Sequence, residues 1–289
     1  MLSRRVHRTA ALAVALALAP ALAEAGIVLE GRFLKVQISD LGTIGPGLGD
    51  GFGLQVDPRG NGRHSIDMLN GLRHEGFAIV SDQTGMVENA NGIADLGAGT
   101  LAALREGARW TGSFVQFFSV SHTFLFDPDT TEIVIETTIT ALQDLTGVAF
   151  GRAIDPSPDA SLEPGLDFET TNSRGGAGAS AARRVFGRGP LTGLGLELLN
   201  LTDGRESNTG LFDCCTTESP LVVLGGAGAI SPLVEFADQS LQMAWLIGDL
   251  AEGESATIRY AYRVDVPEPA SFALFAFGLA ALGLVRRRM

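Results

Sequence analysis

The sequence predicts an all-β protein, an antiparallel β-sandwich flanked by an N-terminal signal-peptide helix and a C-terminal single transmembrane helix. Three observations lead there. Apolar residues recur at every second position, as where Ala256, Ile258, Tyr260, Tyr262 and Val264 alternate with Thr257, Arg259, Ala261 and Arg263, a period that lays one face on a core and leaves the other to water. Glycine supplies 37 of the 289 residues and proline only 12, without a Gly-X-Y repeat, which suits a turn-rich β chain and excludes collagen. Away from the two ends, no run holds a helical period. A hydrophobic fraction of 45% with 19% charged residues and a mean hydropathy of +0.21 exclude a disordered acidic chain.

Taken in order, the candidate strands are Ile27 to Ser39, Gly76 to Val80, Phe114 to Phe126, Glu132 to Ile139, Val148 to Ile154, Gly193 to Leu199, Pro220 to Leu224, Leu241 to Ile247 and Ser255 to Asp265. With the remaining short runs this makes about ten strands. Turn chemistry separates them at Asp57–Gly62, Asn91-Gly92, Asp127-Pro128-Asp129 and Asp203-Gly204, where Asx and Gly residues favour reversal. Gly175 to Ser180 is rich in Gly and Ala and reads as a loop. Trp110 and Trp245 lie in apolar strand patterns and are expected in the core.

At the N-terminus, Arg4, Arg5 and Arg8 precede an apolar run from Ala10 to Leu22. That order of charge and apolar length is a secretory signal peptide, residues 1–23, with Ala21 and Ala23 as the small residues of the cleavage site. The run reaches only ~20 Å as a helix, short of the ~30 Å hydrocarbon core. The passenger then spans 24–265.

At the other end, Val266, Pro267, Glu268 and Pro269 precede an uncharged apolar run from Ala270 to Val285, and Arg286, Arg287 and Arg288 follow it. The prolines can neither continue a helix nor sit inside a sheet, so they impose an extended backbone that a protease can grip. The run rises ~24 Å as a helix and the arginines fix its C-terminus in the cytoplasm. Residues 266–289 resemble the PEP-CTERM sorting signal of exported proteins in Gram-negative bacteria, a tail type also named after ice-binding proteins. The resemblance implies passage through the secretion machinery, a transient membrane anchor, and processing near Pro-Glu-Pro by an exosortase-type membrane enzyme. The protein would end at the outer surface or in the extracellular matrix, among exopolysaccharide.

The net charge of −12 and a pI near 4.8 oppose binding to nucleic acid phosphates. In the acidic stretch Asp155, Asp159, Glu163, Asp167 and Glu169, oxygen ligands on a loop suit calcium, with Asp155, Asp159 and Asp167 as its candidate ligands. No EF-hand spacing is present, and no cofactor is otherwise implied. Cys214 and Cys215, the only cysteines, are adjacent; in an oxidising compartment they can form a vicinal disulfide or each pair with another molecule, and free thiols are the other alternative. Nucleophile-elbow and P-loop motifs are missing. The sequence therefore favours a non-enzymatic surface protein over a carbohydrate-active hydrolase, which would need two converging carboxylates. An ice-binding or adhesive face ranks last, because Thr137, Thr138 and Thr140 form no repeating ladder.

Overall fold

The computed structural model describes residues 26–47, 51–69, 74–162, 168–175, 183–226 and 234–267. The expected signal-peptide and transmembrane helices lie outside them. Among the described residues no helix is long and apolar enough to cross a membrane.

The described chain forms β1 (Gly26–Glu30), β2 (Leu34–Ser39), β3 (Leu54–Val56), β4 (Ile66–Asp67), β5 (Glu75–Ser81), β6 (Gly85–Ala90), β7 (Ile93–Ala94), β8 (Thr100–Leu104), β9 (Gly107–Phe114), β10 (Phe118–Phe126), β11 (Glu132–Ala141) and β12 (Leu145–Ile154). After a 3-10 turn at Pro158–Ser161 come β13 (Thr170–Arg174), β14 (Arg184–Arg188), β15 (Gly195–Asn200), β16 (Ser207–Asp213), a short helix α1 (Pro220–Leu224), β17 (Val234–Ala237), β18 (Gln239–Leu250) and β19 (Ser255–Asp265). They make three antiparallel sheets: β1-β2-β3-β4, then β17-β13-β14-β15-β19-β11-β10-β9-β8, then β16-β18-β12-β5-β6-β7.

Several sequence expectations change. Pro220 to Leu224 is a helical turn, not a strand, with Pro220 at its first position. Pro220 and Val223 are buried while Leu221 and Val222 are exposed, the i, i+3 pattern of a helix face that five apolar residues cannot reveal on their own. Ile27 to Ser39 is a hairpin, β1 with β2. Phe114 to Phe126 breaks at Val115, which turns with φ 44° although no Gly, Asn or Pro marks the reversal. The strand count also nearly doubles, since short strands such as β8 and β16 carry weak alternation.

The two larger sheets meet face to face. Phe77 of β5 lies 4.4 Å, ring centre to ring centre, from His122 of β10 and 5.6 Å from Trp110 of β9. Phe150 of β12 and Trp245 of β18 lie 6.1 and 5.2 Å from Tyr260 of β19. Both tryptophans are fully buried. The first sheet packs its Val36, Ile38 and Leu54 into the same hydrophobic cluster.

A polar network runs through this core. Arg152 of β12 pairs with Glu75 of β5 at 2.5 Å, both side chains wholly buried. Glu75 also accepts from the Tyr262 hydroxyl at 2.7 Å and from the Ile44 N–H. Arg152 donates to the Gly42 carbonyl and lies over the Phe77 ring. Gly42 has φ +76° and rests on Trp110, whose indole N–H donates to the Asp40 carbonyl. A side chain at Gly42 would collide with that ring. The chain continues from Tyr260 through Thr137 to His122 Nδ1. Burial, and then the Arg152 charge, hold the His122 imidazole well below its ordinary pKa, so it is neutral. Burial pushes the Glu75 carboxyl up, opposed by Arg152, Tyr262 and Ile44. Burial disfavours the Arg152 charge, but Glu75 and the two phenols hold it protonated.

Removing one partner strands a buried charge. Arg152→Met should therefore lower unfolding free energy by ~3–5 kcal/mol, and adding Glu75→Leu should recover part of that loss, both read by urea denaturation of the full chain.

Candidate functional site

Two features outside the core network have the chemistry of a site, a corner built around Asp155 and the outward face of the nine-stranded sheet. The corner forms where β12 and β16 end beside the β17–β18 turn. Ile154 pairs with Leu241, and Asp213 pairs with Gln239, so Asp155, Cys214 and Asp238 all fall at this end. Cys214 and Cys215 form a vicinal disulfide, half-buried, one of the alternatives their adjacency leaves open. Cys215 sits at φ 66°, turning the chain sharply after β16. Its backbone N–H donates to Asp155 Oδ2 and to Ser240 Oγ, both at 3.1 Å. Asp155 Oδ2 lies 3.5 Å from Cys215 Sγ. A disulfide sulfur carries no proton, so any hydrogen bond there must be donated by the carboxyl.

Asp155 is 5% exposed, and its Oδ1 is buried without a partner, as is Asp238 Oδ1. Burial and then the Asp238 charge push the Asp155 carboxyl up to about 7. His74 accepts the Asp155 backbone N–H at its carbonyl and binds Thr217 through Nε2. Burial holds its imidazole below the ordinary value.

Of the candidate calcium ligands, Asp155 faces Cys215 and Asp159 faces another loop. Asp159 spends both carboxylate oxygens on the loop before β15, accepting from Leu191 N, Thr192 N and Thr192 Oγ1 at 2.6–2.9 Å. Asp167 lies outside the described residues. Among the described residues, one group of possible metal donors gathers within 4.8 Å, namely Asp155, Cys214 and Cys215. Paired as a disulfide, the two sulfurs are not thiolates and offer a metal little.

The second feature arises from strand register. On the outward face, Thr100, Thr111, Ser121, Thr138 and Thr257 stand side by side across β8, β9, β10, β11 and β19. A parallel row joins Ser113, Ser119, Thr140 and Ser255. Hydroxyls touch across the strands, Thr138 to Thr257 at 2.9 Å and Thr140 to Ser255 at 2.8 Å. Neighbours within a row are ~4.8 Å apart and the rows ~6.8 Å apart, by sheet geometry. The next row is charged, with Arg109 bonded to Thr123 and Arg259 paired to Glu136. It borders an open depression lined by Glu106, Asp127, Glu132 and Arg263, in which Glu132 is held by Arg263 at 2.7 Å. The sequence hid this array, because its members come from five strands and meet only through register. Thr137, by contrast, points inward to Tyr260 and His122.

At the chain end, Val266 is half-buried and Pro267 exposed, and Pro267 passes over the Gly193 turn. Glu268, Pro269, Arg286, Arg287, Arg288, Ala21 and Ala23 lie outside the described residues.

Comparison with known proteins identifies the PEP-CTERM protein-sorting motif over residues 265–288. No curated protein sequence matches the chain. Similar solved structures include a heparan sulfate lyase HepC mutant from Pedobacter heparinus, at 10% identity and TM-score 0.37, covering 72% of this chain and 26% of that one. A putative aldose 1-epimerase from Escherichia coli K12 shows 15% identity and TM-score 0.39, covering 83% and 98%. A putative kojibiose phosphorylase from human microbiome shows 11% identity and TM-score 0.47, covering 91% and 33%. The chain thus spans about a quarter of the lyase and a third of the phosphorylase.

The raised Asp155 pKa has a sign. Between the unfolded value near 4 and the folded value of about 7, the folded state holds a proton that the unfolded state releases, so stability falls as pH rises through that window. Asp155→Asn should stabilise the full chain by ~2–4 kcal/mol at pH 8 and by little at pH 4, as read by urea unfolding at both pH values.

Proposed function

We propose that this chain is an exported surface or matrix protein, released from a membrane-anchored state by an exosortase-type enzyme, and that its β domain is a non-enzymatic component lying among exopolysaccharide. The sorting half of this reading rests on the PEP-CTERM motif at 265–288. The placement of the tail supports it. β19 lies inside the nine-stranded sheet, between β15 and β11, and ends at Asp265. Pro267, the first residue of Pro-Glu-Pro, therefore stands two residues beyond a central strand.

The hydroxyl array is the observation that carries the passenger half. Two rows of hydroxyls on a solvent-facing sheet face can donate to and accept from the hydroxyls of a sugar chain. The charged row beside them adds stronger, charge-assisted donors and acceptors. That row also favours a polysaccharide over ice, whose surface presents no charge to match Arg109, Glu136 or Arg259.

Changing Pro267, Glu268 and Pro269 to Ala should leave export intact but keep the full chain in the inner membrane, as fractionation and immunoblotting would report; normal release of this variant would refute the sorting role. On a glycan array, Thr138→Glu with Thr257→Glu should weaken retention of the full chain by roughly tenfold, the loss of about 1.4 kcal/mol. Release of new reducing ends from a bound glycan would instead support the hydrolase reading, and ice-crystal shaping lost in the same variant would support ice binding.

A further inference from the structure

A disulfide between adjacent cysteines closes the smallest possible loop. Its entropic constraint on the unfolded chain is minimal, so stability alone gives weak reason for Cys214–Cys215 to be oxidised. Three observations point to reactivity instead. Both cysteine residues are half-buried rather than sealed in the core. One is backed by a carboxyl, with Asp155 Oδ2 at 3.5 Å from Cys215 Sγ. That carboxyl is 5% exposed and its second oxygen is buried without a partner, so it lacks the donors that would hold it as a carboxylate.

We propose that Cys214–Cys215 is an exchange-active disulfide that opens to an external thiol, with Asp155 donating the proton to the departing Cys215 sulfur. The attacking thiolate forms a bond to Cys214 Sγ as the Cys214–Cys215 bond breaks. The electron pair of that bond leaves on Cys215 Sγ and takes the Asp155 proton. The products are a mixed disulfide at Cys214, a Cys215 thiol and an Asp155 carboxylate. A second thiolate attacks the external sulfur of the mixed disulfide and releases Cys214 as a thiolate, so two thiols are oxidised to one disulfide and the protein disulfide is reduced by two electrons. A disulfide-bearing oxidant reverses both steps.

Asp155 is suited to this near neutral pH, since burial and the Asp238 charge push its carboxyl up to about 7. The other titratable groups beside it are His74 at the start of β5 and, beyond Thr217, Glu88 of β6, whose own carboxyl burial pushes up. Asp213 at the end of β16 is exposed.

The test is stopped-flow or quenched reduction of the full chain in detergent micelles by 2-mercaptoethanol, with the freed thiols alkylated and counted by mass spectrometry. Rates are expressed per attacking thiolate, which removes the reagent's own titration. Wild type should be reduced in the folded state, and its rate per thiolate should fall as pH rises through about 7. Asp155→Asn should be slower by roughly tenfold at pH 6 and lose the inflection. A change in fold alone would alter the rate without removing the pH dependence. If Asp155→Asn does not fold, Asp238→Asn provides the second arm, shifting the inflection to lower pH by removing the like charge. A rate per thiolate independent of pH, or a disulfide reduced only once urea has unfolded the chain, would overturn the proposal.

Discussion

The Glu75–Arg152 pair is the constraint around which the domain is arranged. It joins neighbouring strands β5 and β12 of the six-stranded sheet. Through Tyr262 it reaches the nine-stranded sheet, and through Ile44 and Gly42 the loop that follows β2. A buried charge without its partner costs several kcal/mol, so the three sheets can adopt only arrangements that keep all of these donors and acceptors together. Hydrophobic burial supplies the bulk of the driving force but is non-directional. The network supplies the direction.

The alternation of strand side chains then decides what the other face becomes. With Ile133, Ile135, Thr137 and Ile139 of β11 committed to the core, Glu136, Thr138 and Thr140 have to point outward. The same commitment in β9, β10 and β19 brings their hydroxyls into line. A slip of one residue in any strand would turn its hydroxyls inward and scatter the rows. The surface is thus a consequence of the core register.

The Asp155 corner follows a different logic. Its members come from β12, the segment after β16, and the β17–β18 turn, elements that end together because β18 pairs with both β12 and β16. Here a carboxyl is buried without the full set of donors that satisfies Glu75. Unmet polar groups of this kind are costly in a core and are found where chemistry rather than stability is selected.

Sequence alone determined the features that depend on short-range order. Period-two alternation identified most long strands, Asx and Gly residues marked their turns, and an ordered run of prolines, apolar residues and arginines carried the sorting signal at 266–289, which the family match at 265–288 shows; adjacency left the Cys214–Cys215 pairing as one alternative. Pro220 to Leu224 was misread because five apolar residues fit either period. The Val115 turn went unseen because its reversal is imposed by the pairing of β9 with β10 rather than by a turn residue. Only tertiary structure brought Asp155 to the disulfide, turned Asp159 to a loop-closing role, paired Glu75 with Arg152 and assembled the hydroxyl rows. Each joins residues tens of positions apart, and such contacts exist only once strand register and sheet packing have been chosen, which no local pattern encodes.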